Sequence, residues 1–110
     1  MAKQRKRSQD PITDARESVK SSWMLAKHRD GMSEAYIPTA GDSLSAKQGY
    51  NAGLKGEKLR FPVEQADSYF KTMYETGQAV RESNRGNVQG MDYESLNIKN
   101  SVIDRYNRNK

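Results

Sequence analysis

The chain has one histidine, His28, which stands between Lys27 and Arg29. An imidazole near neutral pH can act as an acid, a base or a metal ligand. The sequence has no nucleophile elbow, no phosphate loop and no histidine pair at metal-ligand spacing that would join it in a site. His28 is therefore interpreted as positive charge near a helix C-terminus. We expect no catalytic residue, no metal site and no enzyme activity.

Carboxylates offer no better acid-base chemistry. Four of them are spread among cations in the middle of the chain, a mixture that is typical of a solvated face; they are Glu57, Glu64, Asp67 and Glu75. The chain also has no cysteine, which excludes disulfides, thiolate zinc sites and cysteine nucleophiles. No cofactor and no small-molecule substrate are predicted.

A glycine-rich run over residues 49–56 is the most unusual segment. It could cradle a phosphate, but no strand precedes it and no Gly-Lys-Ser/Thr ending follows it. On a helix, Gly49, Gly53 and Gly56 fall at i, i+4 and i+7, so they share one side that carries no side-chain bulk. Each costs roughly 1 kcal/mol relative to Ala in a helix interior. We interpret this bare side as a surface for close helix packing.

The elements on either side of the glycines predict a helical hairpin over residues 45–80. Ser43 or Ser45 can cap its first helix, and Pro62 can open its second helix after a turn. Bulky side chains of the second helix are expected to fill the space that the glycines leave on the first. The residues assigned to this packing are Gly49, Tyr50, Gly53, Gly56, Pro62, Tyr69, Phe70 and Met73.

The composition predicts a small core. Only 34% of the 110 residues are hydrophobic, and the mean hydropathy is −1.06. The predicted fold class is mostly α, a small helical protein with a central helical hairpin and extended, partly disordered termini. The predicted segments are a basic arm (1–10), an amphipathic helix (11–31), a linker (32–44), the hairpin (45–80) and a polar tail with a short helix (81–110).

Trp23 lies on the apolar stripe of the first predicted helix, with Val19 and Ala26 at helical spacing. A tryptophan there can belong to the core, to a protein interface or to a stack on a nucleobase. The spacing favours the core or a protein partner, and Trp23 is the candidate for partner docking.

Positive charge is concentrated at the ends of the chain. Residues 1–31 have eight Lys and Arg against four Asp and Glu, whereas residues 32–77 have five against six. The first arm has four cations that suit a polyanion: Lys3, Arg5, Lys6 and Arg7. No apolar run follows them, and no stretch is long enough for a membrane span, so we expect neither an export signal nor a membrane partner.

The hairpin resembles the ribosome modulation factor family. The resemblance rests on Ala46-Lys-Gln-Gly-Tyr-Asn-Ala-Gly-Leu-Lys-Gly56, then Pro62, then an aromatic helix to Gly77. Aromatic residues among Tyr69, Phe70 and Tyr74 stand where the family has tryptophans. The resemblance implies binding to RNA of the small ribosomal subunit and formation of inactive ribosome dimers. It also implies a phosphate-contact set, which is Lys47, Lys55, Lys58 and Arg60.

Three functions follow from these patterns. The first is a ribosome- or RNA-binding regulator of translation in the cytoplasm, with the ribosome or ribosomal RNA as its partner. The alternative is a structural accessory protein of a large assembly such as a phage virion, with protein subunits as partners. A third reading is a helix-docking inhibitor of a host enzyme, anchored by Ile12, Val19 and Trp23.

Overall fold

Residues 10–98 are the part of the chain that the computed structural model describes. The helices there are α1 (Pro11–Arg29), α2 (Ala40–Lys55), α3 (Ser68–Ser83) and α4 (Tyr93–Leu96), with a single 3-10 turn at Val63–Gln65. No strand forms within residues 10–98. The predicted mostly α fold with a central helical hairpin is confirmed. Two predicted segments lie partly outside the described residues: the basic arm, of which only Asp10 is described, and the polar tail, which is described as far as residue 98.

Helix α1 begins where the capping pattern predicts. The Asp10 side chain accepts a hydrogen bond from the Ile12 backbone N–H at 3.1 Å, and Pro11 occupies the first helical position. The helix ends before Asp30 and Gly31, and Gly31 adopts a φ of 79°. Its buried stripe contains Ala15, Val19, Trp23 and Ala26.

Helix α2 begins earlier than the sequence suggested, so the assignment of its cap to Ser43 or Ser45 is wrong. Thr39 is the N-cap, and its hydroxyl accepts the backbone N–H of Asp42 at 3.1 Å. The Asp42 carboxylate accepts the Thr39 N–H at 3.1 Å in return, which completes a capping box. Ser45 instead donates its hydroxyl to the Asp67 carboxylate at 2.9 Å.

Helix α3 begins later than the sequence suggested, since Pro62 opens only the short 3-10 turn. The backbone of Ala66 and Asp67 is extended, which separates that turn from the helix. The Asp67 carboxylate accepts the N–H of Phe70 at 2.8 Å and so caps α3. The start of α3 is thus set by the cap at Asp67 and not by the proline five residues before it.

The two hairpin helices touch backbone to backbone. A Cβ added to Gly49 would lie closer than 3.0 Å to the carbonyl oxygen of Phe70, and one added to Gly53 would meet the carbonyl oxygen of Tyr74 in the same way. Gly77 on α3 lies as close to the carbonyl oxygen of Tyr50. No side chain larger than hydrogen fits at these three positions without a shift of backbone.

Large side chains therefore do not fill the space above the glycines, contrary to the expectation. Phe70 contributes its backbone to the contact, while its ring is only partly buried. Gly56 takes no part in the contact between the two helix backbones; it ends α2 with a left-handed φ of 71°. Pro62 is exposed in the turn between the helices. Tyr69 and Met73 are buried, but in the core that α3 shares with α1.

Helix α3 is the centre of the fold, because it packs on α2 with one side and on α1 with another. The rings of Trp23 and Tyr69 join α1 to α3, with centroids 5.7 Å apart. Residues 91–98 close the open end of the core. The indole N–H of Trp23 donates to the Tyr93 hydroxyl at 3.0 Å, and the Tyr50 hydroxyl donates to the Met91 carbonyl at 2.6 Å.

Two buried polar side chains differ in how they are satisfied. The Lys27 ammonium donates to the backbone carbonyls of Glu34 and Tyr36, which fastens the loop between α1 and α2. The Tyr69 hydroxyl is buried and has no hydrogen-bond partner within residues 10–98. Burial raises the pKa of Tyr69 far above its usual value. A neutral hydroxyl without a partner is an energetic cost to the folded state.

The close contact of α2 and α3 predicts that Gly53→Ala lowers the free energy of unfolding by roughly 2–3 kcal/mol, because the added methyl group meets the Tyr74 carbonyl. Gly41→Ala on the same helix is the control. Its methyl group meets only the Thr39 hydroxyl at 3.7 Å, and it should raise the free energy of unfolding by about 0.5 kcal/mol. Urea denaturation measures both. Equal effects would contradict the packing.

The unpartnered hydroxyl predicts that Tyr69→Phe raises the free energy of unfolding by about 1 kcal/mol. The matched variant is Tyr50→Phe, which removes a made hydrogen bond and leaves the Met91 carbonyl buried. It should lower the same quantity by about 1–2 kcal/mol. If Tyr69→Phe is as damaging as Tyr50→Phe, the hydroxyl has a partner in solution and the interpretation is wrong.

Candidate nucleic-acid interface

Three of the predicted phosphate-contact cations lie together where the hairpin turns. Lys55 is the last residue of α2, and Lys58 and Arg60 follow in the loop that leads to the 3-10 turn. All three side chains are exposed. The ion pairs within residues 10–98 use other cations, so these three are not neutralised by a neighbouring carboxylate.

Three aromatic rings line up beside these cations. The ring centroids of Phe61 and Phe70 are 5.7 Å apart, and those of Phe70 and Tyr74 are 6.1 Å apart. The planes of Phe70 and Tyr74 differ by only 12°, so these two rings are stacked. We call Phe61, Phe70 and Tyr74 the aromatic ladder. Phe61 forms its outer end and is 42% exposed.

The start of the loop that carries the cations is held in place by two hydrogen bonds. The Tyr74 hydroxyl donates to the backbone carbonyl of Glu57 at 3.1 Å. Arg81 donates to the carbonyl of Leu54 at 3.1 Å, and its side chain lies against Gly56, where a Cβ would be 3.2 Å from the guanidinium carbon. The cations thus extend from a positioned backbone, which reduces the ordering cost of binding.

The loop over residues 55–61 carries a net positive charge, whereas the carboxylates Glu64 and Asp67 follow it at the 3-10 turn. Residues 55–61 contain three cations and one carboxylate, Glu57. Asp67, at the far end of the 3-10 turn, is occupied by hydrogen bonds from the Phe70 N–H and the Ser45 hydroxyl. A cationic loop beside partly exposed rings is the combination that single-stranded nucleic acids require, since phosphates and bases are bound separately.

Lys47, the fourth predicted phosphate contact, lies apart from the other three. Its ammonium forms an ion pair with Glu94 at 2.9 Å, on the side of α2 that faces α4. The hydrogen bond from Lys47, the Glu94 backbone N–H and a hydrogen bond from Asn51 hold the pKa of Glu94 at about 2. The structure therefore uses Lys47 to attach the C-terminal segment. The predicted cations Lys3, Arg5, Lys6 and Arg7 lie outside the described residues.

Trp23 does not present its ring to a partner. It is 1% exposed, and its indole N–H is bonded to Tyr93. This corrects the assignment of Trp23 to partner docking in favour of the core alternative. Val19, a second proposed anchor, is fully buried beside it. Ile12 is partly buried and packs against the same core.

A second depression runs between α1 and α3, but its chemistry is wrong for a polyanion. Its walls contain the acidic residues Asp14 and Glu17 and no Lys or Arg. Hydroxyl groups from Ser18, Ser21 and Thr76 make up much of the remainder. A phosphate backbone would be repelled here, so the hairpin turn is the better candidate interface.

The titratable side chains of the described part of the chain do not gather into a metal site. Residues 10–98 contain no group of three His, Cys, Asp or Glu side chains that could hold a metal ion. His28 is exposed in the last turn of α1, as its sequence position suggested. The raised pKa values of Tyr50 and Tyr93 come mainly from burial in the core. Among these residues, no helix combines the length and the apolar character of a membrane span.

Sequence reasoning did not identify the aromatic ladder as a site. Phe70 and Tyr74 are four residues apart on a helix, a spacing that places rings side by side and could have indicated the stacked pair. Phe61 belongs to a loop, and its contact with Phe70 depends on how that loop folds back. No periodic pattern could have revealed that contact.

Comparisons of the chain with known protein families, with curated proteins and with solved structures gave no match. The resemblance to the ribosome modulation factor family rests on the residues of the hairpin alone.

The Lys47–Glu94 pair predicts a pH dependence of stability. Because folding lowers the pKa of Glu94 from 4.5 to about 2, its contribution is complete above pH 4.5 and is lost as the pH falls toward 2. The pair is exposed, so the loss should be less than about 1 kcal/mol. Urea denaturation of Glu94→Gln between those pH values should show a shallower fall than wild type. Lys47→Gln should remove most of the same dependence, and parallel curves for all three proteins would contradict the assignment.

Proposed function

We propose that this protein binds RNA through the hairpin turn, attaches to the ribosome and modulates translation. The observation that carries the proposal is the juxtaposition of the three exposed cations Lys55, Lys58 and Arg60 with the aromatic ladder. Cations supply affinity for phosphate, and partly exposed rings supply affinity for bases. The basic termini of the sequence would add electrostatic attraction at longer range.

The ribosome is the proposed partner because of the residues that shape this turn. Gly49, Gly53 and Gly56, which carry the family resemblance, also set the approach of α2 to α3 and the exit of the chain from α2. A change at these positions would displace the loop that holds the cations. The proposed activity is attachment to the small subunit with formation of inactive ribosome dimers, as the resemblance implies.

A structural role in a large assembly is the second candidate, and exposed apolar side chains favour it. Met24, Leu25 and Met32, at the C-terminal end of α1 and just beyond it, are 36%, 43% and 40% exposed. Methionines on a surface adapt to partners of irregular shape. A virion or another protein assembly could bury them. A role as a helix-docking inhibitor of an enzyme is not supported, because two of its three anchors, Val19 and Trp23, lie in the core.

The proposal predicts that the variant Lys55→Gln, Lys58→Gln, Arg60→Gln binds ribosomes more weakly and with less salt dependence. Three phosphate contacts on single-stranded RNA correspond to a loss of about 2 in the slope of log K against log salt concentration. Co-sedimentation through sucrose gradients at several salt concentrations measures the slope. Lys20→Gln on α1, outside the hairpin, is the matched single-charge control.

Two results would contradict this proposal. In one, wild type stays at the top of the gradient at every salt concentration. This result would favour the structural role in a protein assembly. In the other, the triple variant sediments like wild type, which means that the hairpin turn makes no phosphate contact. Circular dichroism of the triple variant should match wild type, since its three replaced side chains are exposed.

A further inference from the structure

The aromatic ladder is most exposed at Phe61. Phe70 stands between Phe61 and Tyr74, so both of its neighbouring positions are taken. Tyr74, at the inner end, is tied to the loop through its hydroxyl. Phe61 has an aromatic neighbour only in Phe70 within the described residues, and it is among the most exposed large apolar side chains there. Phe61 is the most exposed of the three rings, so a further flat ring can join the ladder most readily beside it.

We propose that Phe61 stacks on an unpaired base, so that the ligand of the hairpin turn is single-stranded RNA. This inference rests on the proposed function and names the form of nucleic acid that the site takes. Arg60 directly precedes Phe61, and Lys58 lies three residues before Phe61, at most about 11 Å away along the chain. Both cations are therefore placed to bind phosphates that flank the stacked base.

Duplex RNA does not fit this arrangement. Its bases are stacked on one another, and the major groove is too deep and narrow for side chains to reach them. A base can meet Phe61 face to face only when it is unpaired, as in a loop, a bulge or a single-stranded end. The three cations would still attract a duplex through its phosphates. The ring, and not the charge, is what makes the site selective.

A protein ligand is less consistent with the same surface. Exposed aromatic rings often anchor protein interfaces, but such interfaces are depleted of charge at their centre. Here three exposed cations that form no ion pair within residues 10–98 lie within six residues of Phe61. A protein would have to supply acidic groups for all of them.

The test uses full-length protein and a single-stranded RNA of about ten nucleotides that carries one 2-aminopurine, within the range of common site sizes. Stacking on Phe61 should quench the fluorescence of the 2-aminopurine. Phe61→Leu should lose the quenching and bind roughly tenfold more weakly, while Phe61→Tyr should keep both. Leu44→Ala is the control, because Leu44 is a comparably exposed apolar residue on α2, outside the turn that carries Phe61. The same RNA annealed to its complement should bind at least tenfold more weakly than the single strand.

The outcomes separate the inference from the proposed function. If the duplex binds as tightly as the single strand, or if Phe61→Leu changes nothing while Lys58→Gln weakens binding, the stacking inference is wrong and RNA binding stands. If neither RNA binds wild type, both are wrong. Because Phe61 is exposed, the variants should unfold at nearly the wild-type urea concentration, which shows that any loss is local.

Discussion

Backbone contact between α2 and α3 determines where nearly every other group of the fold lies. The carbonyl oxygens of Phe70 and Tyr74 lie over Gly49 and Gly53, and the carbonyl oxygen of Tyr50 lies over Gly77. Glycines normally weaken a helix, yet here they allow the two helices to approach more closely than any side chain would permit. This approach also fixes the rotation of α3 about its axis. That rotation turns some of its side chains into the core and others toward solvent.

The two sides of α3 have different tasks as a result. Tyr69 and Met73 face the core, where Tyr69 meets Trp23 of α1. Phe70 and Tyr74 lie at the edge of the helix contact, where they meet the loop that follows α2. Thus a single helix supports the core and also carries the proposed binding surface. The energetic cost of the helix-breaking glycines is offset by contacts on both sides.

Local patterns predicted the elements better than their boundaries or their contacts. The spacing of Gly49 and Gly53 indicated a packing surface, because helical periodicity alone places them on one side. The predicted start of α3 was wrong. Pro62 and Asp67 are both helix-start signals, and only tertiary contacts decide between them. Filling by large side chains was also wrong, because it could not be known that Gly77 would lie opposite Tyr50. The position of Phe61 depends on the loop and was beyond any local rule.

The hydrogen bonds of the C-terminal segment affect the order in which the parts of the chain can fold during synthesis. Trp23 reaches its partner Tyr93 across 70 positions, and Arg16 donates to the Leu96 carbonyl across 80. The indole N–H of Trp23 therefore gains its protein partner only after nearly the last described residue has been synthesised. The hairpin can close much earlier, because its contacts are local. Synthesis from N- to C-terminus thus allows the hairpin to form before the first helix gains its partners in the C-terminal segment.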